Sequence, residues 1–432
     1  MLKIIQIFVV GVLTSLFFFP FEFSFLPGVN TKMMLAGMGL LLFGINQLKR
    51  EKTDNDGQKD FAVLSLWAAL VSLVAFAAIT YNNTYDYTYV SYIVSMWVWL
   101  GGAYAAVQLM RMVHGEVTVE LVMKYLIGVC VGQCAIALTM ELVPVVKGVV
   151  DSFLGSTGFM GKVKDRMYGI GASLDVAGTR FSAVLLMIAY LTLQVDKQGK
   201  KMLLVPYLVA FFCIGFIGNM ISRTTVVGIG LSMLYWAWMW MRSEEVRRGR
   251  LFRYLAGILC VLVPVSVILY QVNPIFQKNI EFAFEGFFSL AETGRWEVHS
   301  NEMLMDMYVF PDNWKTWIIG DGYFANPYGA DPYYVGENWH GFYKATDVGY
   351  LRFIYYFGVI GLAAFSWFFC AVTAVCRKRF PRYAMFFGFL LLLNFLVWFK
   401  VSSDIFVVFA PFLCLAPDFL EDKVEDVGTL DK

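Results

Sequence analysis

The sequence predicts an all-α, polytopic membrane protein with about twelve transmembrane helices. Of its 432 residues, 59% are hydrophobic, 17% are aromatic and only 16% are charged. The mean hydropathy is +0.63, and the apolar residues fall in runs of about 20, the length that crosses a bilayer core about 30 Å thick. A soluble domain averages about 45–50% apolar and about 25% charged residues, so composition argues against a water-soluble fold.

The first apolar run, 4–26, lacks a small-residue cleavage site and ends in FFFPFEFSF. We therefore expect it to be retained as a helix and not removed as a signal peptide. The remaining runs are each separated from the next by polar or turn-forming residues. They cover 31–48, 61–80, 89–110, 119–142, 178–195, 203–220, 223–241, 253–271, 348–375, 383–399 and 402–417.

Basic residues predict the orientation of these spans, because cytoplasmic loops are enriched in Lys and Arg. With the amino terminus inside, the inner loops hold Lys49, Arg50, Lys52, Lys59, Arg111, Lys197, Lys200, Lys201, Arg242, Arg247, Arg248, Arg250, Arg253, Arg377, Lys378, Arg379 and Arg382. The 272–347 segment carries four basic residues in about 76. Both termini are therefore expected in the cytoplasm.

The spans divide the chain into four regions. Helices 1–9 occupy 1–271, with an outer, periplasmic loop near 143–178; a large periplasmic loop follows at 272–347, then helices 10–12 at 348–417 and a charged cytoplasmic tail at 418–432. The inner loops are short and no GxxxxGK[ST] motif occurs, which argues against an ATP-driven pump. The balance of 34 basic and 33 acidic residues gives no reason to expect nucleic acid as a partner, and the seven cysteines lie in or beside apolar runs, where they act as small hydrophobes.

Three arginines stand near the outer ends of predicted helices that run inward. Arg180 in AGTRFSAVLL and Arg223 in NMISRTTVVG are expected at helix starts, and Arg352 in TDVGYLRFIYY about one turn inside. A helix amino terminus carries free N–H groups and partial positive charge, so added guanidinium groups would favour a phosphate. The alternative is that these arginines reach lipid headgroups or pair with nearby acids.

The large loop contains ETGRWEVHSNEMLMDMY, which predicts a helix with Arg295, His299, Glu302 and Asp306 on one face. Such a face offers a cation, an imidazole and two carboxylates for proton transfer or substrate contact. It could equally be a surface helix held by pairs one turn apart. His299 and Glu302 also have the HxxE spacing of some metal sites. Two ligands are too few to predict such a site.

The next part of the loop, GDGYFANPYGADPYYVGENWHGFYKATD, mixes aromatic rings with Gly and Pro, which predicts irregular structure. Rings such as Trp339 suit either stacking on sugars or the headgroup region. Asp347 closes the loop just before a span, where it could cap the helix or act as a base beside an anion site. Tyr350, three residues later, is a further candidate for substrate contact.

These motifs, in this order along the chain, resemble the O-antigen polymerase (Wzy-like) and O-antigen ligase superfamily of membrane glycosyltransferases. The resemblance covers residues 165–365, through SRTTVVGIG, TGRWEVHSNEML followed by WIIGDGYF, and TDVGYLRFIYYFGVIGL; the first five spans match in hydropathy alone. It implies a GT-C-like helical fold in a bacterial inner membrane and transfer of sugars from an undecaprenyl-pyrophosphate carrier, with no cofactor and no metal.

The resemblance also implies roles for matching residues. Arg180 and Arg223 would bind the donor pyrophosphate, Arg295 would lie over the cleft, and Asp347 would stand where ligases tend to carry a histidine followed by asparagine. This departure favours a polymerase of polysaccharide repeat units, acting on lipid-linked donors and acceptors with inversion of the anomeric carbon. His299 and Glu302 remain alternative bases.

Two other functions stay open at this point. His340 lies seven residues before Asp347, so an O-antigen ligase or a protein O-oligosaccharyltransferase is compatible with the sequence. A transporter or polysaccharide flippase is the alternative of another class, although such a carrier should show matching halves and polar residues at mid-membrane. The expected partners are the undecaprenyl-pyrophosphate-linked oligosaccharide and the lipid bilayer, and a chain-length regulator is a further candidate.

Overall fold

The computed structural model describes residues 2–49, 55–154, 167–295, 297–326 and 342–416, and these residues are all-helical apart from isolated bridges. In chain order the first helices are α1 (Leu2–Phe18), α2 (Thr31–Lys49), α3 (Asn55–Asn82), α4 (Tyr92–His114), α5 (Val119–Leu142), α6 (Pro144–Phe153), α7 (Leu174–Lys197), α8 (Lys201–Ile221) and α9 (Thr225–Arg242). The rest are α10 (Glu244–Arg248), α11 (Leu251–Val272), α12 (Pro274–Ala283), α13 (Glu285–Thr293), α14 (His299–Asp306), α15 (Trp314–Ile318), α16 (Gly349–Arg379), α17 (Ala384–Val397) and α18 (Phe406–Leu413).

Within the described residues, seven segments are long and apolar enough to cross a membrane. They are Lys59–Asn82, Tyr92–His114, Val119–Leu142, Leu174–Lys197, Met202–Ile221, Glu244–Val272 and Gly349–Arg379, with shorter apolar helices at Leu2–Phe18, Thr31–Asn46 and Pro381–Val397. This pattern is that of a multi-pass membrane protein. The count of twelve spans and the GT-C-like arrangement stay predictions.

Three expected spans differ from the helices that form. The run 4–26 becomes a helix ending at Phe18, because Pro20 disfavours helical geometry in the residue before it. The run 402–417 holds only the eight-residue α18, about 12 Å long at 1.5 Å per residue. The run 348–375 is one helix by hydrogen bonding, but its backbone breaks at Phe357 and Gly358.

The chain divides into two compact units. Unit 1 comprises Met1–Thr31 and Thr118–Asn301, and unit 2 comprises Lys32–Val117 and Glu302–Lys432. The expected division into regions at 271, 347 and 417 follows the order of the spans, whereas the units combine segments far apart in sequence. Each unit has its own interior.

In unit 1, α7 is the central helix and packs on α8 and α9. Nearly every α7 residue from Ala177 to Leu193 is buried. By contrast, Leu251 is the one buried residue of α11, so the rest of that helix presents its apolar side chains outward. Tyr168, in the loop before α7, donates its hydroxyl to Asp151 of α6 at 2.7 Å, and burial together with this hydrogen bond raises the pKa of Tyr168.

In unit 2, α16 packs along α3, and α4 packs on α18. The break in α16 is stabilised by the α15–Asp321 turn, whose backbone N–H groups at Asp321 and Gly322 donate to the carbonyls of Tyr355 and Tyr356 at 2.6 and 3.1 Å. Gly358 has φ +67°, and a Cβ there would lie 2.0 Å from a backbone oxygen of α15. Only glycine fits this position.

A second buried feature of unit 2 is the pair between Arg379 at the end of α16 and Asp60 of α3. Arg379 Nε donates to Asp60 Oδ2 at 2.8 Å, and its terminal nitrogen donates to the carbonyl of Leu413 at 2.7 Å. Both charged residues are buried. This pair fixes the ends of three helices because a buried charge needs its partner.

Candidate functional site

Arg352 is the charged centre of the site in unit 2. It lies in the first turn of α16, as expected, and its side chain is only 9% exposed. Its terminal nitrogens donate to Ser402 Oγ at 2.8 Å and to the carbonyl of Phe324 at 3.1 Å, and they face Asp347 Oδ1 at 3.4 Å. The cation is therefore held in place by groups from three separate stretches of the chain.

Two aromatic rings enclose the Arg352 guanidinium. Its carbon lies 3.7 Å from the ring centre of Phe324 and 4.3 Å from that of Phe342. Such stacking suits a planar guanidinium and leaves its edge free for acceptors. Within the described residues, the buried Nε of Arg352 has no hydrogen-bond acceptor.

Asp347 sits directly beside this cation. Its carboxylate is 22% exposed, compared with 9% for the side chain of Arg352. The N-cap residue of α16 is Val348, so Asp347 precedes the cap, and the capping alternative does not apply. A partly exposed carboxylate next to a buried guanidinium combines a proton acceptor with an anion-binding group.

Asp86 shapes the site from the α3–α4 loop. Its Oδ2 accepts the backbone N–H groups of Phe324 and Ala325 at 2.8 and 3.1 Å, and its Oδ1 accepts from Thr88. The Asp86 carboxylate thereby positions the loop whose ring stacks on Arg352. Sequence reasoning missed Asp86, and its only signal was an acid within TYDYTY between two apolar runs.

A second loop completes the surroundings of Arg352. Ser402 and Asp404 lie in the short turn before α18, where Asp404 Oδ1 accepts the N–H of Phe406 at 3.0 Å. Trp398 donates its indole N–H to the carbonyl of Ser403 at 3.0 Å, which fixes the turn. Sequence reasoning placed a span over these residues and so missed Ser402 as a partner of Arg352.

Asp321 gathers a separate polar cluster in unit 2. Its Oδ1 accepts from Lys315 Nζ at 2.9 Å and from Thr316 Oγ1 at 2.6 Å, while the hydroxyl of Tyr343 donates to its Oδ2 at 3.2 Å. The ring of Tyr343 also lies 5.3 Å from that of Tyr323. These bonds order the described part of the aromatic loop on both sides of the residues 327–341.

In unit 1, Arg223 lies in the turn between α8 and α9, close to the expected helix start. Its Nε donates to the carbonyl of Phe282 at 3.0 Å, its guanidinium lies 4.0 Å from the Phe282 ring centre, and a terminal nitrogen is 2.5 Å from Glu285 Oε2. The Glu285 carboxylate thus occupies one edge of the Arg223 guanidinium. A phosphate oxygen can bind a guanidinium edge in the same way.

Asp175, in the first turn of α7, accepts hydrogen bonds from the two residues on either side of Arg223 and so stabilises the turn between α8 and α9. Its carboxylate accepts from the hydroxyls of Thr224 and Ser222, the latter at 3.2 Å. A Cβ on Gly178, one turn later, would lie 2.4 Å from Ser222 Oγ. The close approach of α7 to this turn therefore depends on glycine. Sequence reasoning missed Asp175, although only Val176 separates it from the AGTR motif.

Arg180 does not lie at a helix start, contrary to expectation. Because α7 begins at Leu174, Arg180 is almost two turns inside the helix and is buried. A terminal nitrogen donates to the carbonyl of Phe18, and the rings of Phe18 and Phe19 lie 5.9 and 5.5 Å from the guanidinium carbon. These contacts place Arg180 against the end of α1.

The expected helical face is wrong for Arg295, whereas His299, Glu302 and Asp306 lie together on α14 at the expected spacings of three and four residues. Helix α13 ends at Thr293, Gly294 takes the left-handed conformation with φ 71°, and α14 begins only at His299. Arg295 is an exposed residue between the two helices, while Glu302 and Asp306 are exposed on α14. The Thr-Gly pair was the sequence signal for this break.

The remaining predicted site residues are Tyr350, Trp339 and His340. The hydroxyl of Tyr350 donates to the carbonyl of Phe395 at 2.9 Å, and its ring packs on Phe399 at 4.9 Å, so Tyr350 connects α16 to α17. Trp339 and His340 lie outside the described residues. The described residues include no group of three His, Cys, Asp or Glu side chains that could hold a metal ion.

The structure thus brings Asp347 and Arg352 together in unit 2 and supports Arg223 with Glu285 in unit 1. Comparison with protein-family models, with curated proteins and with solved structures finds no match to this chain. The class that the helices define is a multi-pass membrane protein, and any more particular function is argued from these two clusters.

Proposed function

We propose that this chain is a membrane glycosyltransferase that polymerises polysaccharide repeat units, taking glycan from an undecaprenyl-pyrophosphate-linked donor. The observation that carries the proposal is the pair of Arg352, a buried guanidinium between two rings, and Asp347, a partly exposed carboxylate at the start of the same span. This pair joins anion stabilisation to proton acceptance at one end of an apolar helix.

The chemistry assigned to the pair is inverting transfer to a hydroxyl. The acceptor oxygen attacks the anomeric carbon, the bond from that carbon to the pyrophosphate oxygen breaks with its electron pair, and the hydroxyl proton passes to Asp347. A preorganised guanidinium such as Arg352 stabilises the negative charge that develops on the pyrophosphate. His299 and Glu302 remain alternative bases in the proposal.

Arg223 supports an anion-binding role independently within unit 1. Its guanidinium is fixed by Phe282 and faces the carboxylate of Glu285, so the turn already accommodates one anionic group. Replacement of that carboxylate by a phosphate oxygen preserves the same donor geometry. An anionic substrate group that reached this turn would compete with Glu285 for Arg223.

The orientation belongs to the same proposal. The dense basic loops lie on the cytoplasmic side, and the site then faces the outer surface of a bacterial inner membrane, where lipid-linked oligosaccharides are polymerised. The product is O-antigen, capsule or exopolysaccharide, according to the sugars of the repeat unit.

The test is reconstitution of the purified full chain in liposomes with lipid-linked repeat units. We expect a ladder of longer glycans without ATP or nucleotide sugar, and its loss in Asp347→Asn, while Glu302→Gln tests the alternative base. Transport of the glycan with no change in its length would contradict the enzyme proposal. Transfer to a non-lipid acceptor without polymerisation would indicate the ligase alternative.

A further inference from the structure

Unit 1 contains a cavity of about 600 Å³ that shares no lining residue with either cluster of the proposed function. It is lined by Ala237 and Trp240 of α9, Arg247 and Gly249 of the α10 turn, and Phe252 and Arg253 at the start of α11. Its volume is within the range of small-molecule sites, about 300–1,000 Å³. The proposed glycan chemistry uses none of these residues.

The cavity wall combines positive charge with aromatic rings. The segment 242–253 contains five arginines and two glutamates, and Arg247 and Arg253 are both exposed. Glu244 Oε1 lies 3.8 Å from a terminal nitrogen of Arg247 at the surface. A surplus of guanidinium groups at the end of two apolar helices favours an anionic ligand at the membrane boundary.

Two further acids lie near this cavity: Glu245, which is 3.9 Å from Lys197 Nζ, and Asp196, whose carboxylate accepts backbone hydrogen bonds. The Asp196 carboxylate accepts the backbone N–H of Arg250 at 3.0 Å and that of Leu251 at 3.1 Å. These bonds fix the α10–α11 turn and cap α11. The groups of the cavity wall that can bind an anion are therefore the guanidinium groups of Arg247 and Arg253.

The surface that continues from the cavity is apolar. Along α11 the side chains of Leu259, Val263 and Val267 are 46%, 57% and 51% exposed. At the cavity itself, Trp240 is 45% exposed, which is the setting of an aromatic side chain at the lipid–water interface. A ligand with an anionic head and hydrocarbon tails matches both the charged wall and this adjoining face.

We propose that this cavity binds the headgroup of an anionic phospholipid, with the phosphodiester on Arg247 and Arg253 and the acyl chains along α11. The recognised chemistry is a singly charged phosphate diester whose glycerol side adjoins hydrocarbon. Trp240 and Phe252 form the walls at the level of the ester groups. None of these four residues has a part in the proposed glycan transfer.

The test uses the full chain, delipidated in detergent, titrated with phosphatidylglycerol, with phosphatidylcholine of the same acyl chains, and with inorganic phosphate. Binding is followed by native mass spectrometry and by the melting midpoint. We expect preference for phosphatidylglycerol, and a dissociation constant weakened by about 30-fold in the double variant Arg247→Gln, Arg253→Gln, from the usual attraction of two basic side chains to an anionic headgroup.

The matched control is Arg377→Gln, Arg382→Gln, which removes two exposed arginines outside this cavity. It should bind phosphatidylglycerol as the unmodified chain does. Equal binding of the two lipids, undiminished binding by the cavity variant, or the same loss in the control would overturn the proposal. Saturation by inorganic phosphate at the concentration that suffices for the lipid would overturn it as well, because the site would then recognise free phosphate.

Discussion

Replacement of Arg352 by lysine tests the central residue of the proposed site. Lysine keeps the positive charge, but its single ammonium group cannot reproduce a planar fork of donors. In the structure the guanidinium donates to Ser402 and to the carbonyl of Phe324 from different nitrogens, and it stacks on Phe324 and Phe342. One ammonium group can keep only some of these hydrogen bonds and ring contacts.

The magnitude follows from those contacts. Loss of one hydrogen bond from a charged donor costs about 1.5–3 kcal/mol, and a desolvated cation–π contact contributes about 2 kcal/mol. We therefore expect the free energy of unfolding of Arg352→Lys to fall by about 3–5 kcal/mol. The rate of glycan polymerisation should fall by about 10²–10³-fold, the usual effect of removing one donor to a developing oxyanion.

The assay measures both quantities on the same preparation. Ladder formation in liposomes gives the rate, and the melting midpoint in detergent shows that the variant is folded at the assay temperature. Arg377→Lys, an exposed position at the far end of α16, serves as the control and should leave both unchanged. A folded Arg352→Lys variant with full polymerisation activity would refute the role of the guanidinium fork.

Two further predictions concern the framework of unit 2. Gly358→Ala should lower the melting midpoint sharply. A side chain at φ +67° costs about 1–3 kcal/mol, and the added Cβ would lie 2.0 Å from a backbone oxygen. The control is Gly388→Ala, which has open space around it and should melt as the unmodified chain does. Asp60→Asn should lower the free energy of unfolding by about 3–5 kcal/mol, as expected when a buried guanidinium loses its ion partner. Denaturant unfolding in detergent measures this loss, and an unchanged midpoint would show that the buried pair contributes nothing.

The sequence predicted the helical class because hydrophobic runs are a local property. A segment such as 119–142 contains enough apolar side chains to specify a span by itself, and α5 forms at those residues. The position of Arg352 one turn inside a helix was also predictable, since only Gly349 and its neighbours determine where α16 begins. Local pattern sufficed in these cases because helix hydrogen bonds join residues four apart.

Other parts of the site could not be predicted from the sequence. Asp86 and Phe324 are 238 positions apart, yet a hydrogen bond between them fixes the ring that stacks on Arg352. Ser402 was assigned to a span on hydropathy, although it lies in a turn. Periodicity carries no information on which distant loops meet, because that choice depends on the packing of whole helices.

The break in α16 is another feature that local sequence does not predict and tertiary packing explains. Hydropathy treats 348–375 as one span, and the sequence YYFGVIG gives no sign that the helix is interrupted beyond one glycine. The interruption forms because Asp321 and Gly322 supply backbone donors to the freed carbonyls of Tyr355 and Tyr356. A helix can open only where a neighbouring segment satisfies its backbone, and this partner is visible only in the tertiary structure.

The sequence by itself determined that this protein is helical, that most of it is apolar enough for lipid, and that its few charges near the ends of apolar runs include Arg223, Arg352 and Asp347. Tertiary structure decided which of those charges are used together. It paired Arg352 with Asp347, engaged Arg223 with Glu285, and placed Arg180 in the interior of unit 1. The physical reason is that composition and periodicity act over a few residues, whereas burial of a charge requires partners that only the packed chain can bring to it.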